Sequence, residues 1–163
     1  METMIVKVLV VDDEPVTGLF LKSILEQVPG VKVAEVITNS LEVAGKVDEH
    51  KAQVLFLDID MPELNGLELA RSLRYKDESL CLVFATAHVD YALEAFELYS
   101  FDYILKPFNE ERIKKTMQKI REGLINNEDR NDDLIIIQQE ERQIVIRADE
   151  IIYVESLNHK VRI

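Results

Sequence analysis

The chain is poor in the residues that mark specialised architectures. Its 163 residues include one cysteine, no tryptophan, five glycines and four prolines. An internal disulfide is therefore impossible, and a collagen-like or low-complexity segment is excluded. The lone Cys81 lies in the apolar run LCLVFA and reads as a core thiol rather than a redox sensor. No apolar run approaches the ~18 residues needed to span a bilayer, and the opening METMIVKVLVVDDE has no basic n-region or cleavage site. A soluble cytoplasmic protein without a membrane partner is expected. Basic residues are scarce too: 19 Lys and Arg stand against 31 Asp and Glu, a net charge of -12. Residues 1–125 carry 14 basic and 22 acidic groups (-8), and residues 126–163 carry 5 and 9 (-4). Modules that grip nucleic acid draw much of their affinity from neutralising phosphates and need a basic face. Neither part supplies one, so this stretch of chain is not expected to bind DNA by itself.

What is present is a hydrophobic content of 47%, arranged in short apolar runs separated by amphipathic stretches. Runs of that kind read as buried parallel strands alternating with helices. Ile5 to Val11 forms the first strand, and Pro15 opens a helix with Val16, Phe20 and Ile24 on its expected buried face, closed by Pro29-Gly30. Val31 to Ile37 and a helix from about Leu41 to Glu49 form a second pair. Val54 to Leu57 is followed by the Asn65-Gly66 turn and a helix carrying Leu69, Ala70 and Leu73. Leu80 to Ala85 precedes a helix through Val89, Leu93 and Phe96; Phe101 to Leu105 precedes a long helix with Ile113, Met117, Ile120 and Leu124. The expected fold is a doubly wound α/β domain over residues 1–125. Residues 126–133 are polar and acidic and read as a linker. Residues 134–163 change to short β segments, LIIIQQ, QIVIR, EIIYVES and HKVRI. Some 30 residues fall below the ~40 of an independent core, so this second domain is expected to be cut short.

Polar residues cluster where the apolar runs stop. Asp12-Asp13 follows VLVV, Asp58 and Asp60 follow VLFL, Thr86 follows LVFA, and Lys106 follows FDYIL. Open parallel sheets gather their chemistry outside the carboxyl ends of the strands, so these groups should converge on one edge. Three carboxylates held together repel one another unless a cation relieves them. Mg²⁺, a hard cation with oxygen ligands, suits such a set. Asp13 and Asp58 fit as direct ligands, Asp12 through water, and the Asp60 backbone carbonyl lies within reach two residues past Asp58. A carboxylate so placed can also attack a phosphoryl group, and Asp58 is the central one. Lys106 offers a point charge and Thr86 a hydroxyl to the equatorial oxygens of that group. The plainer reading of Asp12-Asp13-Glu14 is a cap on the first helix. His50, His88 and His159 have no ligand spacing and default to surface residues.

From Ile5 to about Leu124 the sequence resembles the receiver domain of two-component response regulators, on VLVVDDEP, VLFLDIDMPELNGLEL and LVFATAHVDYALEAFELYSFDYILKPF in that order. The resemblance implies a five-stranded parallel flavodoxin-like sheet of strand order 2-1-3-4-5. It implies that a sensor histidine kinase phosphorylates Asp58, that Asp12 and Asp13 hold Mg²⁺, and that Thr86 and Lys106 respond to the phosphate. Tyr103 would be an aromatic switch whose inward turn repacks the face of the fourth helix, fifth strand and fifth helix, favouring homodimers. The Lys106-Pro107 bond is expected to be cis. Asp60 and His88, each two residues past a site residue, occupy positions that in such receivers tend to tune hydrolysis of the acyl phosphate. The protein would accept phosphate from its partner without being an enzyme in its own right.

The stretch ADEIIYVESLNHKVRI is similar to the early strands of a LytTR-type DNA-binding domain, a β-rich output module of transcription regulators. That resemblance implies promoter DNA as a partner of the full-length protein, with the contacting residues beyond Ile163. Two other classes stay in view. Asp58-Ile59-Asp60 also satisfies the nucleophile motif of haloacid-dehalogenase-like phosphohydrolases, although those place the pair on their first strand. A pseudo-receiver would keep the fold as an interaction module without phosphorylation.

Overall fold

The computed structural model describes residues 4–129 and the strands 134–139, 142–147, 155–157 and 160–162. Five strands, β1 (Val6–Val11), β2 (Val31–Ile37), β3 (Val54–Leu57), β4 (Cys81–Thr86) and β5 (Asp102–Leu105), pair in parallel in the order β2-β1-β3-β4-β5. Helices α1 (Pro15–Leu25), α2 (Val43–His50), α3 (Gly66–Lys76), α4 (Ala92–Glu97) and α5 (Glu110–Asp129) fill the crossovers. A parallel pair needs such a crossover because a tight hairpin cannot return the chain in the same direction. The strand order reverses beside β1, and that reversal opens the crevice in which this architecture holds its ligands.

Burial follows from position in the sheet. Every residue of β3 is buried, as is all of β1 except Lys7, and β4 is buried from Leu82 onwards. The edge strands depart from the expected uniform burial, because an edge is covered less completely than a centre. In β2 only Val33 and Ile37 are buried, and in β5 only Ile104. Cys81, at the first position of β4, is partly rather than fully buried. Its surroundings push the thiol up to about 11, chiefly by burial, which makes it a poor nucleophile.

Two helix faces differ from those the periodicity predicts. In α1 the buried residues are Gly18, Leu21, Ile24 and Leu25, while Val16 and Phe20 are exposed. Gly18 explains the rotation: a Cβ there would sit 2.6 Å from Cγ1 of Val36 on β2, so the helix makes its closest approach through the residue with no side chain. In the fourth crossover Val89, Leu93 and Phe96 are all exposed, and the packing residues are Ala95 and Leu98. Helix α4 starts only at Ala92, leaving Val89 in the preceding loop, and it runs for six residues. The second crossover begins with a 3₁₀ turn, Ser40–Glu42, ahead of α2. The buried face of α3 (Leu69, Ala70, Leu73) is the one expected, and α5 buries Ile113, Met117 and Ile120 as expected while Leu124 is only partly buried.

The chain divides into two compact units, residues 1–123 and 124–163. Helix α5 continues to Asp129, through the first part of the acidic stretch. In the second unit β6 (Leu134–Gln139) pairs antiparallel with β7 (Arg142–Arg147), and β8 (Glu155–Leu157) with β9 (Lys160–Arg162). Residues 130–133 of the expected linker, the Ile151–Val154 part of EIIYVES and His159 lie outside the described residues. Among the described residues no helix is long and apolar enough to cross a membrane.

Candidate functional site

Asp12 follows β1 directly, Asp58 follows β3, Thr86 ends β4 and Lys106 follows β5. Because the strands are parallel and in register, their ends bring these residues to one edge. The Asp58 N–H donates to the Val11 carbonyl at 2.9 Å, and the Lys106 N–H donates to the Thr86 carbonyl at 2.9 Å, so the backbone ladder runs into the site itself. The Lys106-Pro107 peptide bond is cis.

Lys106 Nζ lies 2.8 Å from Asp12 Oδ2 and 2.9 Å from Asp58 Oδ2. Each carboxylate uses its other oxygen on the backbone: Asp12 Oδ1 accepts the Glu14 N–H at 2.9 Å, and Asp58 Oδ1 accepts the Ile59 N–H at 2.7 Å. Asp12 is 2% exposed and Asp58 4%, so water does little to screen their charges. Burial pushes the Asp12 carboxyl above its ordinary range, against the pull of Lys106 and of the Glu14 N–H. For Lys106 burial acts to lower the pKa, but the bonds to Asp12 and Asp58 outweigh it and hold the ammonium above its usual value. Asp12 thus also organises the start of α1, where Glu14 is the N-cap and Pro15 the first helical residue. The expected side-chain cap is not formed: the N-cap residue Glu14 makes no capping bond, and Asp12 reaches only the Glu14 N–H of the backbone.

Carboxylate oxygens of Asp12, Asp13 and Asp58 all lie within 4.8 Å of one another. An all-oxygen set carrying more negative charge than Lys106 can balance fits a hard divalent cation such as Mg²⁺. Asp60 is exposed, and its side chain meets the ring of His88.

Thr86 is fully buried, with its hydroxyl 3.4 Å from the His88 N–H. Tyr103, on β5, is half-buried; its hydroxyl donates to the His88 carbonyl, and its ring lies 6.3 Å from that of Phe84 at a tilt of 44°. Burial raises the phenol's pKa. His88 therefore joins three parts of the site rim through its amide, its carbonyl and its ring, and the ring also packs edge-on against Tyr91. His88 has no ligand spacing, and the resemblance alone singles it out, as one of two positions that tend to tune hydrolysis. Its position two past Thr86 was the only available signal, and its partner Asp60 is 28 residues away in sequence.

What sequence spacing missed is an apolar groove of about 280 Å³ beside Lys106, lined by Val16, Thr17, Phe20, Pro107 and Phe108. It exists because α1 turns Val16 and Phe20 outward.

A parallel five-stranded sheet of order β2-β1-β3-β4-β5, with carboxylates on the ends of β1 and β3 and a lysine after β5, defines a receiver-type fold. Residues 8–118 match the family model described as response regulator receiver domain. The chain belongs to the response regulator family. It is 39% identical over 117 residues to the transcriptional regulatory protein BtsR of Salmonella typhi, covering 72% of this chain and 48% of BtsR. It is 33% identical over 171 residues to the sensory transduction protein LytT of Bacillus anthracis, covering 96% of this chain and 68% of LytT. The response regulatory domain of mrkE from Klebsiella pneumoniae superposes with a TM-score of 0.69 at 33% identity, over 74% of this chain and 98% of that one. The chain spans about half the length of BtsR, and its similarity to LytT continues past the receiver into the second unit.

Proposed function

We propose that the chain is a Mg²⁺-dependent phosphoacceptor in which Asp58 takes a phosphoryl group from a sensor histidine kinase. The observation that carries this reading is the meeting of Asp12, Asp58 and Lys106, drawn from three strand ends that lie 46 to 94 residues apart in the sequence, at distances of 2.8 and 2.9 Å. An Asp58 carboxylate oxygen attacks phosphorus, the new P–O bond forms as the P–N bond to the donor imidazole breaks, and the imidazole leaves with the electron pair. Lys106 moves from the carboxylate to an equatorial oxygen of the incoming group, and the Thr86 hydroxyl donates to another. Bound Mg²⁺ would be held by Asp13 and Asp58, by Asp12 through water and by the Asp60 carbonyl, and it supplies charge neutralisation. Tyr103 reports the change to the β5 face through its bond to the His88 carbonyl, and homodimers form through the α4–β5–α5 face. Donor proteins seat on the Val16–Phe20–Phe108 groove, which borders Lys106. The second unit is the start of a LytTR-type output module whose longer form controls promoter DNA.

The test is incubation with acetyl phosphate and Mg²⁺, read by intact mass. One phosphoryl adduct, labile to base and absent in Asp58→Asn, is expected. No adduct in the presence of bound Mg²⁺ would point instead to an interaction module that works without phosphorylation.

Asp60 and His88 set the lifetime of the adduct, because their paired side chains stand at the rim where a hydrolytic water enters. An altered half-life in His88→Ala is expected, and an unchanged one would contradict this role.

A further inference from the structure

Ser40 is the first residue of the 3₁₀ turn between β2 and α2 and is 2% exposed. Its place is set by Asn39, whose side chain caps the turn by accepting the Leu41 N–H at 3.0 Å. The Ser40 hydroxyl donates to the Pro62 carbonyl at 3.0 Å and accepts the Leu64 N–H at 3.2 Å. Both partners belong to the loop from β3 to α3, which carries Asp58 and Asp60. A buried hydroxyl with one donor bond and one acceptor bond to a distant loop is a designed contact, since leaving it unpaired would be costly.

The loop needs such support. Between Pro62 and Leu64 the chain makes a three-residue turn, with the Leu64 N–H also reaching the Pro62 carbonyl at 2.9 Å. Glu63, at its centre, has φ +69°. An L-residue persists there only where its surroundings over-determine it. The other flank is held by Gly66, whose N–H donates to the Ile59 carbonyl at 2.8 Å. A Cβ on Gly66 would lie 2.1 Å from the Asp58 carbonyl oxygen, so no side chain fits. The start of the loop is fixed differently, by the Asp58 N–H bonded into the ladder at Val11. Asp60 falls between these anchors, beyond the sheet and before the clamped turn.

We infer that Ser40 is a positioning residue for the acceptor site: its hydroxyl clamps the Pro62–Leu64 turn and thereby presents the Asp60 carbonyl beside Asp58 for the metal. This rests on the Mg²⁺ site proposed above. Because the sheet holds Asp58 independently, loss of the clamp should weaken metal binding more than it weakens the fold.

The experiment is a Mg²⁺ titration by calorimetry on the full chain and on Ser40→Ala and Ser40→Cys, with thermal unfolding followed with and without Mg²⁺. Ser40→Ala should bind Mg²⁺ about three- to tenfold more weakly, the scale of a lost hydrogen bond. The stabilisation conferred by Mg²⁺ should shrink accordingly. Ser40→Cys fills similar space with a weak donor and should fall between, and it carries the test alone if the alanine variant does not fold. Unchanged Mg²⁺ affinity in the folded variants, with unfolding temperatures lowered equally in the presence and absence of metal, would overturn the inference. Failure of the unaltered chain to bind Mg²⁺ would overturn the site reading itself, and Ser40's role with it.

Discussion

Lys106 holds two buried carboxylates together, and its position makes it both partner and competitor of a metal. The ammonium bonded to Asp12 and Asp58 must share or yield those oxygens when a divalent ion enters. Lys106→Ala should therefore tighten Mg²⁺ binding in a calorimetric titration while slowing adduct formation from acetyl phosphate by about a hundredfold, the scale for removing one preorganised charge-stabilising donor. Tighter binding with undiminished phosphorylation would place the lysine outside the chemistry. At Tyr103, the Phe substitution removes only the bond to the His88 carbonyl. A loss of about 1 kcal/mol in chemical unfolding is expected, the usual worth of one hydrogen bond. Asp12, Asp13, Asp58, Thr86 and Lys106 could be found in the sequence because each directly follows or ends an apolar run, and strand ends are where this architecture collects its chemistry. Ser40 could not. A serine after Ile37-Thr38-Asn39 looks like any turn residue, and its meaning lies in contacts with Pro62 and Leu64, 22 and 24 residues on.

Among the elements, α1 and α4 show where periodicity misleads. Apolar residues four apart normally mark the face toward the core, yet in α1 that stripe includes Val16 at 80% exposure. The helix is turned by a glycine, and glycine carries no weight in a hydrophobic pattern. The outward stripe then lines the apolar groove beside Lys106, the surface proposed for a donor protein. Phe20→Ala should leave stability within about 0.5 kcal/mol, as for an exposed position, whereas Leu21→Ala or Ile24→Ala should cost about 2–5 kcal/mol by opening the core. Chemical unfolding of the three variants checks the assignment of the face. The same Phe20→Ala chain should accept phosphate normally from acetyl phosphate and poorly from its kinase; equal loss with both donors would remove the groove from recognition. Helix α4 is anchored by few apolar side chains, chiefly Ala95 and Leu98. Its carboxyl end is tied by Arg74, whose guanidinium donates to the Leu98 carbonyl at 3.2 Å and the Tyr99 carbonyl at 3.3 Å. Helix α4 is thus held by a few identifiable contacts.

For the whole molecule, acid stability should depend partly on the pair joining β5 to α5. Burial alone would raise the Asp102 carboxyl, but Arg112, Thr116 and the Tyr103 N–H together hold it below its ordinary 3.8. A carboxylate with a depressed native pKa contributes stability that is present above its unfolded value and lost as pH falls through the native one. Asp102→Asn should therefore lower stability at neutral pH and flatten the stability profile below about pH 4, as measured by unfolding across that range. The parallel α/β fold was legible because five apolar runs alternate with amphipathic crossovers, whereas the strand order came from the resemblance to receiver domains. The second unit was legible as short β segments, but alternation marks a strand without naming its partner, so the pairing of β6 with β7 and of β8 with β9 was not.

The assignment of Asp58 as acceptor turns on where the phosphoryl group goes. After reaction with acetyl phosphate and Mg²⁺, borohydride reduction of the acyl phosphate and peptide mapping should place the modification on Asp58 alone, within the segment after VLFL. A modification on Asp12, Asp13 or Asp60, or on a histidine, would contradict the assignment of Asp58 as the acceptor and the mechanism built on it.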